Sequence, residues 1–219
     1  EIIFTVHCAD AGRPQRWLSI PFVMTSHTWE NAKNEQSHQD PSLAEALLGE
    51  ASHVSRVLFP ADYNSAAAII QGVYRTQGQF WTLVVPKADS IPNLFSREEA
   101  ERLLAEGAIH LDWMSYQPER ARILLTALGA YQLGELMRAS ARLGEREIPH
   151  RLNYLLEPGR FRLPRHPGEG AHLAPVALRE ALFPPDVGAR LFLVHTRPEP
   201  LLGVLGPLHT RRHTTGLGF

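Results

Sequence analysis

The chain has 219 residues and a formal net charge of −1 at pH 7, with 44% apolar and 21% charged residues. This composition is typical of a globular protein with one large or two small domains. The balanced charge gives no reason to expect nucleic acid or a membrane as the partner, and no apolar run approaches the roughly 18 residues of a spanning helix.

The single cysteine, Cys8, excludes an internal disulfide and fits a reducing compartment, so we expect a cytoplasmic protein. An ordinary buried thiol is the favoured interpretation of Cys8, and a nucleophile is the alternative. The chain begins at Glu1, inside a predicted helix, and stops at Phe219 without a cap. We therefore expect a fragment of a longer protein.

In the first part of the chain, apolar runs alternate with helical patterns. The run from Leu18 to Met24 predicts a buried strand, and Asp40 and Pro41 are suited to cap the helix that follows. Asp62 is a candidate cap for the next helix. The predicted strands are 18–25, 54–59 and 80–85, and the predicted helices are 1–12, 42–50 and 63–77. Such βαβ units indicate a parallel sheet.

The second part repeats this alternation after a connecting segment in which Ser96 and Glu99 form a capping-box pattern. Predicted strands are 123–128, 150–156 and 190–195, and predicted helices are 131–146, 175–183 and 199–209. Residues 162–172 are predicted to be an irregular, mobile loop, and the tail 210–219 has little to pack against.

We predict an α/β fold with two consecutive three-layer αβα domains and mostly parallel sheets. The predicted domains are residues 1–88 and 119–219, with residues 89–118 as the linker.

The loop between residues 25 and 40 is rich in His, Asn, Gln, Ser and Lys, which suit phosphate and sugar hydroxyls. It follows the carboxyl end of a strand, where ligands bind in open α/β sheets. Lys87 follows the end of another predicted strand at the same edge. We predict a phosphate site formed by Lys87, Asn31 and Asn34, with His38 as a general acid or base. A solvated surface loop, with His38 as a capping or core imidazole, is the alternative.

Other polar groups carry weaker signals. The histidines of the first part, such as His27 and His38, lack the i, i+4 helical spacing of a zinc site, and we predict no metal site formed by this chain alone. The basic residues Arg160, Arg162 and Arg165 are interpreted as a solvated loop. No phosphate-binding glycine motif of the P-loop type is present.

Several segments together resemble one enzyme family. They include Ser26-His-Thr-Trp29, Asn34-Glu-Gln-Ser-His-Gln-Asp-Pro41, Val57-Leu-Phe-Pro-Ala-Asp62 with Asn64, Trp81-Thr-Leu-Val-Val-Pro-Lys87, Leu155-Leu-Glu-Pro-Gly-Arg-Phe161 and His195-Thr-Arg-Pro-Glu-Pro200. In this order they resemble the thiamine-diphosphate-dependent phosphoketolases.

The resemblance implies a transketolase-like build, with half of a pyrimidine-binding domain followed by a C-terminal domain. The implied reaction cleaves xylulose 5-phosphate or fructose 6-phosphate with inorganic phosphate, giving acetyl phosphate and an aldose phosphate. It uses thiamine diphosphate and Mg²⁺ in a homodimer or higher homo-oligomer.

By this resemblance, His38 is catalytic, and Asn31, Asn34 and Lys87 bind substrate phosphate. Many members of the family have His-Asn where this chain has Lys33-Asn34. This chain therefore lacks a second imidazole, and no residue is assigned to the proton transfer that this imidazole would perform. The cofactor-binding residues are unknown and expected upstream of Glu1, so this chain alone should be inactive. The alternative is a non-catalytic sugar-phosphate-binding or scaffolding module without the cofactor domain.

Overall fold

The computed structural model describes residues 5, 8, 11–13, 17–25, 40–87, 93–208 and 213–218. Thr5 and Cys8 are helical, as predicted, and Cys8 is partly buried. None of the helices in these ranges combines the length and the apolar character needed to cross a membrane.

The first sheet has three parallel strands, and its middle strand is the last in sequence. The strands are β1 (Ile20–Met24), β2 (Ser55–Leu58) and β3 (Phe80–Val84), in the order β1-β3-β2. Two helices accompany them, α1 (Ser42–Leu48) and α2 (Tyr63–Val73). Asp62 begins α2 because its carboxylate accepts a hydrogen bond from the Ser65 backbone N–H at 2.8 Å, as the sequence predicts.

The prediction that β1 is a buried strand is wrong for the residues described. Ile20, Phe22 and Val23 are 44%, 45% and 53% exposed. Among the described residues, β1 pairs only with β3, so it is the edge strand of this sheet. A strand with one neighbour buries its backbone on one side only, whatever its apolar content.

The second sheet has five strands in the order β4-β6-β5-β7-β8. They are β4 (Ala108–His110), β5 (Ile123–Leu128), β6 (His150–Leu155), β7 (Ala189–Val194) and β8 (Thr214–Leu217). All pairs are parallel except β4 with β6. The accompanying helices are α3 (Arg97–Glu106), α4 (Ala130–Glu145), α5 (Val176–Leu182) and α6 (Pro198–Val204). The predicted α/β fold with mostly parallel sheets is confirmed.

Gly129 ends β5 with a φ of +110°, a conformation that other residues rarely adopt. A Cβ atom at this position would also lie 2.3 Å from the Gln132 side-chain oxygen. The sharp turn at Gly129 therefore lets α4 begin directly after the strand.

Two segments, one in the predicted linker and one in the C-terminal tail, are more ordered than the sequence suggests. Residues 214–217, in the tail predicted to have little to pack against, form β8, because the outer edge of β7 offers unpaired backbone groups. Within the predicted linker 89–118, the capping box of Ser96 and Glu99 begins α3, and β4 joins the second sheet. The domain boundaries themselves stay a prediction.

The loop 162–172 contains no long helix or strand, as predicted, but it is held by buried polar contacts. Glu169 is fully buried and accepts hydrogen bonds from the backbone N–H groups of Ser52 and Arg165, at 2.8 and 2.7 Å. Arg162 is buried and donates to the carbonyl oxygens of Leu48 and Glu50. The interpretation of this basic cluster as solvated is therefore wrong for Arg162. Its guanidinium donates hydrogen bonds to backbone carbonyl oxygens instead of to water.

The two sheets share their apolar core. One buried cluster includes Val57 and Phe59 from the first part together with Leu124 and Phe192 from the second. The backbone N–H of Phe59 donates to the Leu156 carbonyl at 3.0 Å, and the Tyr154 hydroxyl donates to the Phe59 carbonyl. The end of β2 is thus joined to the end of β6 by backbone and side-chain hydrogen bonds.

Candidate functional site

The candidate site lies at the carboxyl edge of the first sheet. β1 and β3 run in parallel with Met24 opposite Val84, and the Val85 N–H donates to the Met24 carbonyl at 2.9 Å. Lys87 is exposed and follows the end of β3 by three residues. The segment 26–39 starts two residues after β1. The backbone register therefore brings Lys87 and Thr25, the residue before this segment, to the same edge.

Three of the four predicted site residues, Asn31, Asn34 and His38, lie outside the described residues. Their distances from Lys87 and their roles stay predictions. Within the described ranges, no group of three or more His, Cys, Asp or Glu side chains could hold a metal ion.

The chain after Lys87 returns to the sheet at Leu94 and Phe95, and Asp62 anchors this return. One carboxylate oxygen of Asp62 caps α2, and the other accepts hydrogen bonds from the Leu94 and Phe95 N–H groups, both at 2.8 Å. Asn64 donates its side-chain amide to the Phe95 carbonyl at 2.7 Å. Leu94 and Phe95 are therefore held by residues that follow the carboxyl end of β2.

Asp40 marks the other end of the segment 26–39. Its Oδ1 accepts hydrogen bonds from the Ser42 N–H and hydroxyl at 2.8 and 2.5 Å. These bonds, with a smaller contribution from Arg197, hold the pKa of Asp40 below its ordinary value. Pro41 occupies the N-cap position of α1, so the predicted positions of Asp40 and Pro41 are each displaced by one residue.

Arg197 connects this end of the segment to the second sheet, and sequence reasoning did not single it out. Its backbone N–H and its Nη1 donate to the two carboxylate oxygens of Glu45 in α1, each at 2.8 Å. Its Nη2 lies 3.2 Å from Asp40 Oδ1. Arg197 lies three residues after the end of β7 and directly precedes α6. In the sequence, the one indication of a role for Arg197 was its position in the family-like segment His195–Pro200.

A buried ionic network lies between the two sheets. Arg56 of β2 donates through Nε and Nη2 to the two carboxylate oxygens of Glu157, at 2.8 and 2.6 Å. His172 Nε2 lies 3.0 Å from Glu157 Oε1. The Arg56 guanidinium also stacks 3.6 Å above the centre of a Trp81 ring. Trp81 belongs to β3, so this network bonds the first sheet to the chain that follows β6.

Burial by itself would raise the pKa of Glu157. The charge and hydrogen bonds of Arg56, with a smaller contribution from His172, outweigh burial and hold this pKa far below its ordinary value. Glu157 is therefore a carboxylate at neutral pH. Its partners are all supplied by the protein, which favours a structural role for Glu157 over a catalytic one.

Comparison with known proteins identifies relatives for part of the chain. Residues 1–76 match the family model of D-xylulose 5-phosphate/D-fructose 6-phosphate phosphoketolase. A probable phosphoketolase of Streptomyces avermitilis is 29% identical over 132 residues, which are 60% of this chain and 16% of that protein. A probable phosphoketolase of Pediococcus pentosaceus is 33% identical over 97 residues, 44% of this chain and 12% of that protein. The chain thus spans less than a fifth of the length of these relatives.

Solved structures of transketolases share the fold at low sequence identity. Transketolase from Leishmania mexicana matches with a TM-score of 0.56 at 16% identity, covering 72% of this chain and 20% of that one. Transketolase from Campylobacter jejuni matches with a TM-score of 0.56 at 11% identity, covering 99% and 30%. The resemblance that the motifs indicate is thereby confirmed: residues 1–76 match the phosphoketolase family model, about half of the chain is similar to probable phosphoketolases, and the fold is transketolase-like.

Proposed function

We propose that this chain is part of a phosphoketolase that cleaves xylulose 5-phosphate, fructose 6-phosphate or both with inorganic phosphate. The products are acetyl phosphate and an aldose phosphate. The observation that carries the proposal is the parallel register of β1 and β3, which brings Lys87 to the edge where the segment 26–39 begins. That segment lies within the residues matched by the phosphoketolase family model.

In this proposal, Lys87 supplies a positive charge to the substrate phosphate, and the side-chain amides of Asn31 and Asn34 donate directed hydrogen bonds to it. His38 donates a proton to a leaving oxygen, a role suited to an imidazole because its ordinary pKa lies near neutral pH. The exposed position of Lys87 leaves room for an anion from solvent.

Among the described residues, no group of three or more His, Cys, Asp or Glu side chains could hold Mg²⁺. From the family resemblance, we propose that thiamine diphosphate and Mg²⁺ are held mainly by parts of the protein outside this chain. When bound, thiamine diphosphate supplies the electron sink that cleavage of a carbon–carbon bond requires.

A sugar phosphate as substrate is supported by a structural neighbour. Transketolase from Pichia stipitis, crystallised with xylulose 5-phosphate, matches with a TM-score of 0.53 over 83% of this chain. At 16% identity this likeness supports the fold, and the substrate class is our proposal. A homodimer or higher homo-oligomer in the cytoplasm is proposed from the family resemblance.

A second candidate is a sugar-phosphate-binding or scaffolding module without catalytic activity. The observation that favours it is the exposed Lys87 at the carboxyl edge of the first sheet, which could bind a phosphate whether or not a reaction follows. On its own it would bind phosphate at Lys87 without turnover.

Formation of acetyl phosphate, trapped as the hydroxamate, separates these candidates. The full-length protein and the 219-residue chain are each incubated with xylulose 5-phosphate, phosphate, Mg²⁺ and thiamine diphosphate. We expect product from the full-length protein and none from the chain alone. Product from neither sample would refute the phosphoketolase proposal, and sugar-phosphate binding without turnover would then favour the binding module.

A further inference from the structure

The short turn Pro158–Phe161, which follows β6, carries an arginine that has no partner among the described residues. The Nε of Arg160 is buried, and no described residue accepts a hydrogen bond from it. None of the ion pairs between described residues includes Arg160. We propose that Arg160 is the main contact of a binding site for a phosphate group, supplied either by inorganic phosphate or by a sugar phosphate.

The backbone beside Arg160 is shaped to hold its side chain. Gly107 directly follows α3 and has a φ of +82°, which favours glycine. A Cβ atom at Gly107 would lie 2.7 Å from Arg160 Cδ and 3.4 Å from its Nε, so the arginine stem packs directly on this glycine. A buried N–H group that has lost water and gained no acceptor costs free energy. Because Arg160 is only partly buried, an acceptor can reach it from solvent.

The charges around Arg160 favour an additional anion. Glu157 attracts Arg160, but both of its carboxylate oxygens already accept hydrogen bonds from Arg56, and His172 Nε2 lies 3.0 Å from one of them. Burial lowers the pKa of Arg160, and the positive charge of Arg56 lowers it further, against the attraction of Glu157. Two guanidinium groups therefore share one buried carboxylate, and a phosphate beside Arg160 would supply the missing negative charge.

The chemistry of the guanidinium selects the class of ligand. Its planar fork of donors matches two phosphate oxygens at once, and it tolerates partial burial better than an ammonium because it is more weakly hydrated. Arg160 lies in the family-like segment Leu155–Phe161, and the proposed reaction assigns it no role. Glu106, at the end of α3, also attracts Arg160 and would repel a phosphate bound there. Neutralising Glu106 should therefore tighten binding.

Protection from an arginine-specific reagent tests the proposal at this residue. The full-length protein is treated with phenylglyoxal in chloride or in phosphate of equal ionic strength, and modified peptides are quantified by mass spectrometry. At about ten times the dissociation constant, about one tenth of the sites stay free, so modification of Arg160 should slow about tenfold. The matched control is Arg102, an exposed arginine of α3, which should react equally in both buffers. Equal rates for Arg160, or no reaction in chloride, overturn the proposal.

The same measurement distinguishes the two sources of the phosphate group. Inorganic phosphate and fructose 6-phosphate are titrated separately, with fructose as the control that lacks the phosphate. The compound that protects Arg160 at the lower concentration is assigned as the ligand, and equal protection supports recognition of the phosphate group alone. Protection by neither compound, or equal protection by fructose, overturns the proposal.

Calorimetric titration with phosphate provides a second measurement, made in full-length Lys87→Ala because Lys87 is itself proposed to bind phosphate. Adding Arg160→Gln should weaken binding about 10–100-fold, and an unchanged dissociation constant overturns the proposal. Adding Glu106→Gln instead should tighten binding about two- to fivefold, a gain that unfolding cannot produce. Unchanged or weaker binding in that variant places the phosphate elsewhere and also overturns the proposal. A failure to form acetyl phosphate refutes only the proposed function, because these readouts are binding and protection.

Discussion

The buried pair of Arg56 and Glu157 gives the sharpest prediction about stability. In Glu157→Gln the side chain keeps its shape but loses its charge, while the Arg56 guanidinium stays between the two sheets. The Arg56 and Glu157 side chains are 8% and 1% exposed, so water cannot replace the lost carboxylate. Two hydrogen bonds from Arg56 and one from His172 end on this carboxylate, and all three are weakened at once.

Removal of one partner from a buried ion pair typically lowers the free energy of unfolding by about 3–5 kcal/mol. The Trp81 ring, 3.6 Å from the guanidinium, still stabilises Arg56 in the variant by about 0.5–2 kcal/mol, which favours the lower end of that range. For a chain of this size the loss corresponds to a fall in melting temperature of about 6–20 °C.

Urea unfolding of purified wild-type and Glu157→Gln proteins measures this difference. The matched control is Glu135→Gln, which removes an exposed carboxylate paired with Arg138 and should change the free energy of unfolding by less than about 1 kcal/mol. If Glu157→Gln loses less than about 1 kcal/mol as well, the buried pair does not stabilise the contact between the sheets.

The pH dependence supplies an independent check on the same residue. The pKa of Glu157 is lowered in the folded protein, so protonation favours the unfolded state. The stabilisation is present at neutral pH and is lost as the pH falls below 4.5, the ordinary value of this carboxyl. We expect the free energy of unfolding of Glu157→Gln to fall less steeply than that of wild type in this range.

Further predictions concern the candidate site, the cap of α2 and one partly buried histidine. Lys87→Ala should raise the KM values for sugar phosphate and phosphate while leaving the melting temperature unchanged; unfolding of the variant would make Lys87 structural. His38→Ala should slow turnover about 10²–10⁴-fold, and normal turnover would remove His38 from the mechanism. Asp62→Ala removes three hydrogen bonds and should lower the free energy of unfolding by about 2–4 kcal/mol, measured in urea. Burial lowers the pKa of His110 against the opposing effect of its Asn153 hydrogen bond, so the neutral form is favoured. Stability should fall as the pH drops below 6.5, and less so in His110→Gln.

Local sequence signals predicted most helices and strands because these signals are themselves local. Asp62 and the Ser96 capping box mark helix starts by short-range hydrogen bonds, and near-continuous apolar runs mark β3 and β5. The alternation of these elements then fixed the parallel sheets, and the position of Lys87 at the sheet edge follows from that topology alone.

The structural features that the sequence did not predict depend on contacts between residues far apart in the chain. β8 has little apolar character, and its pairing with β7 comes from the open sheet edge. Glu157 and Arg56 are 101 residues apart, and Arg197 and Glu45 are 152 residues apart. No periodicity or spacing encodes such contacts. Glu157 and Arg197 occur in family-like motifs without a predicted role, and the sequence did not single out Arg56 or Glu45.

The antiparallel pairing of β4 with β6 also determines how the chain should respond to cleavage. A protease cut between residues 112 and 120 would sever the backbone but leave β4 hydrogen-bonded to the larger sheet. The Phe59 contacts with Leu156 and Tyr154 would remain in place as well. Two pieces expressed separately and divided at this point should therefore reassemble as a split protein and unfold in one transition.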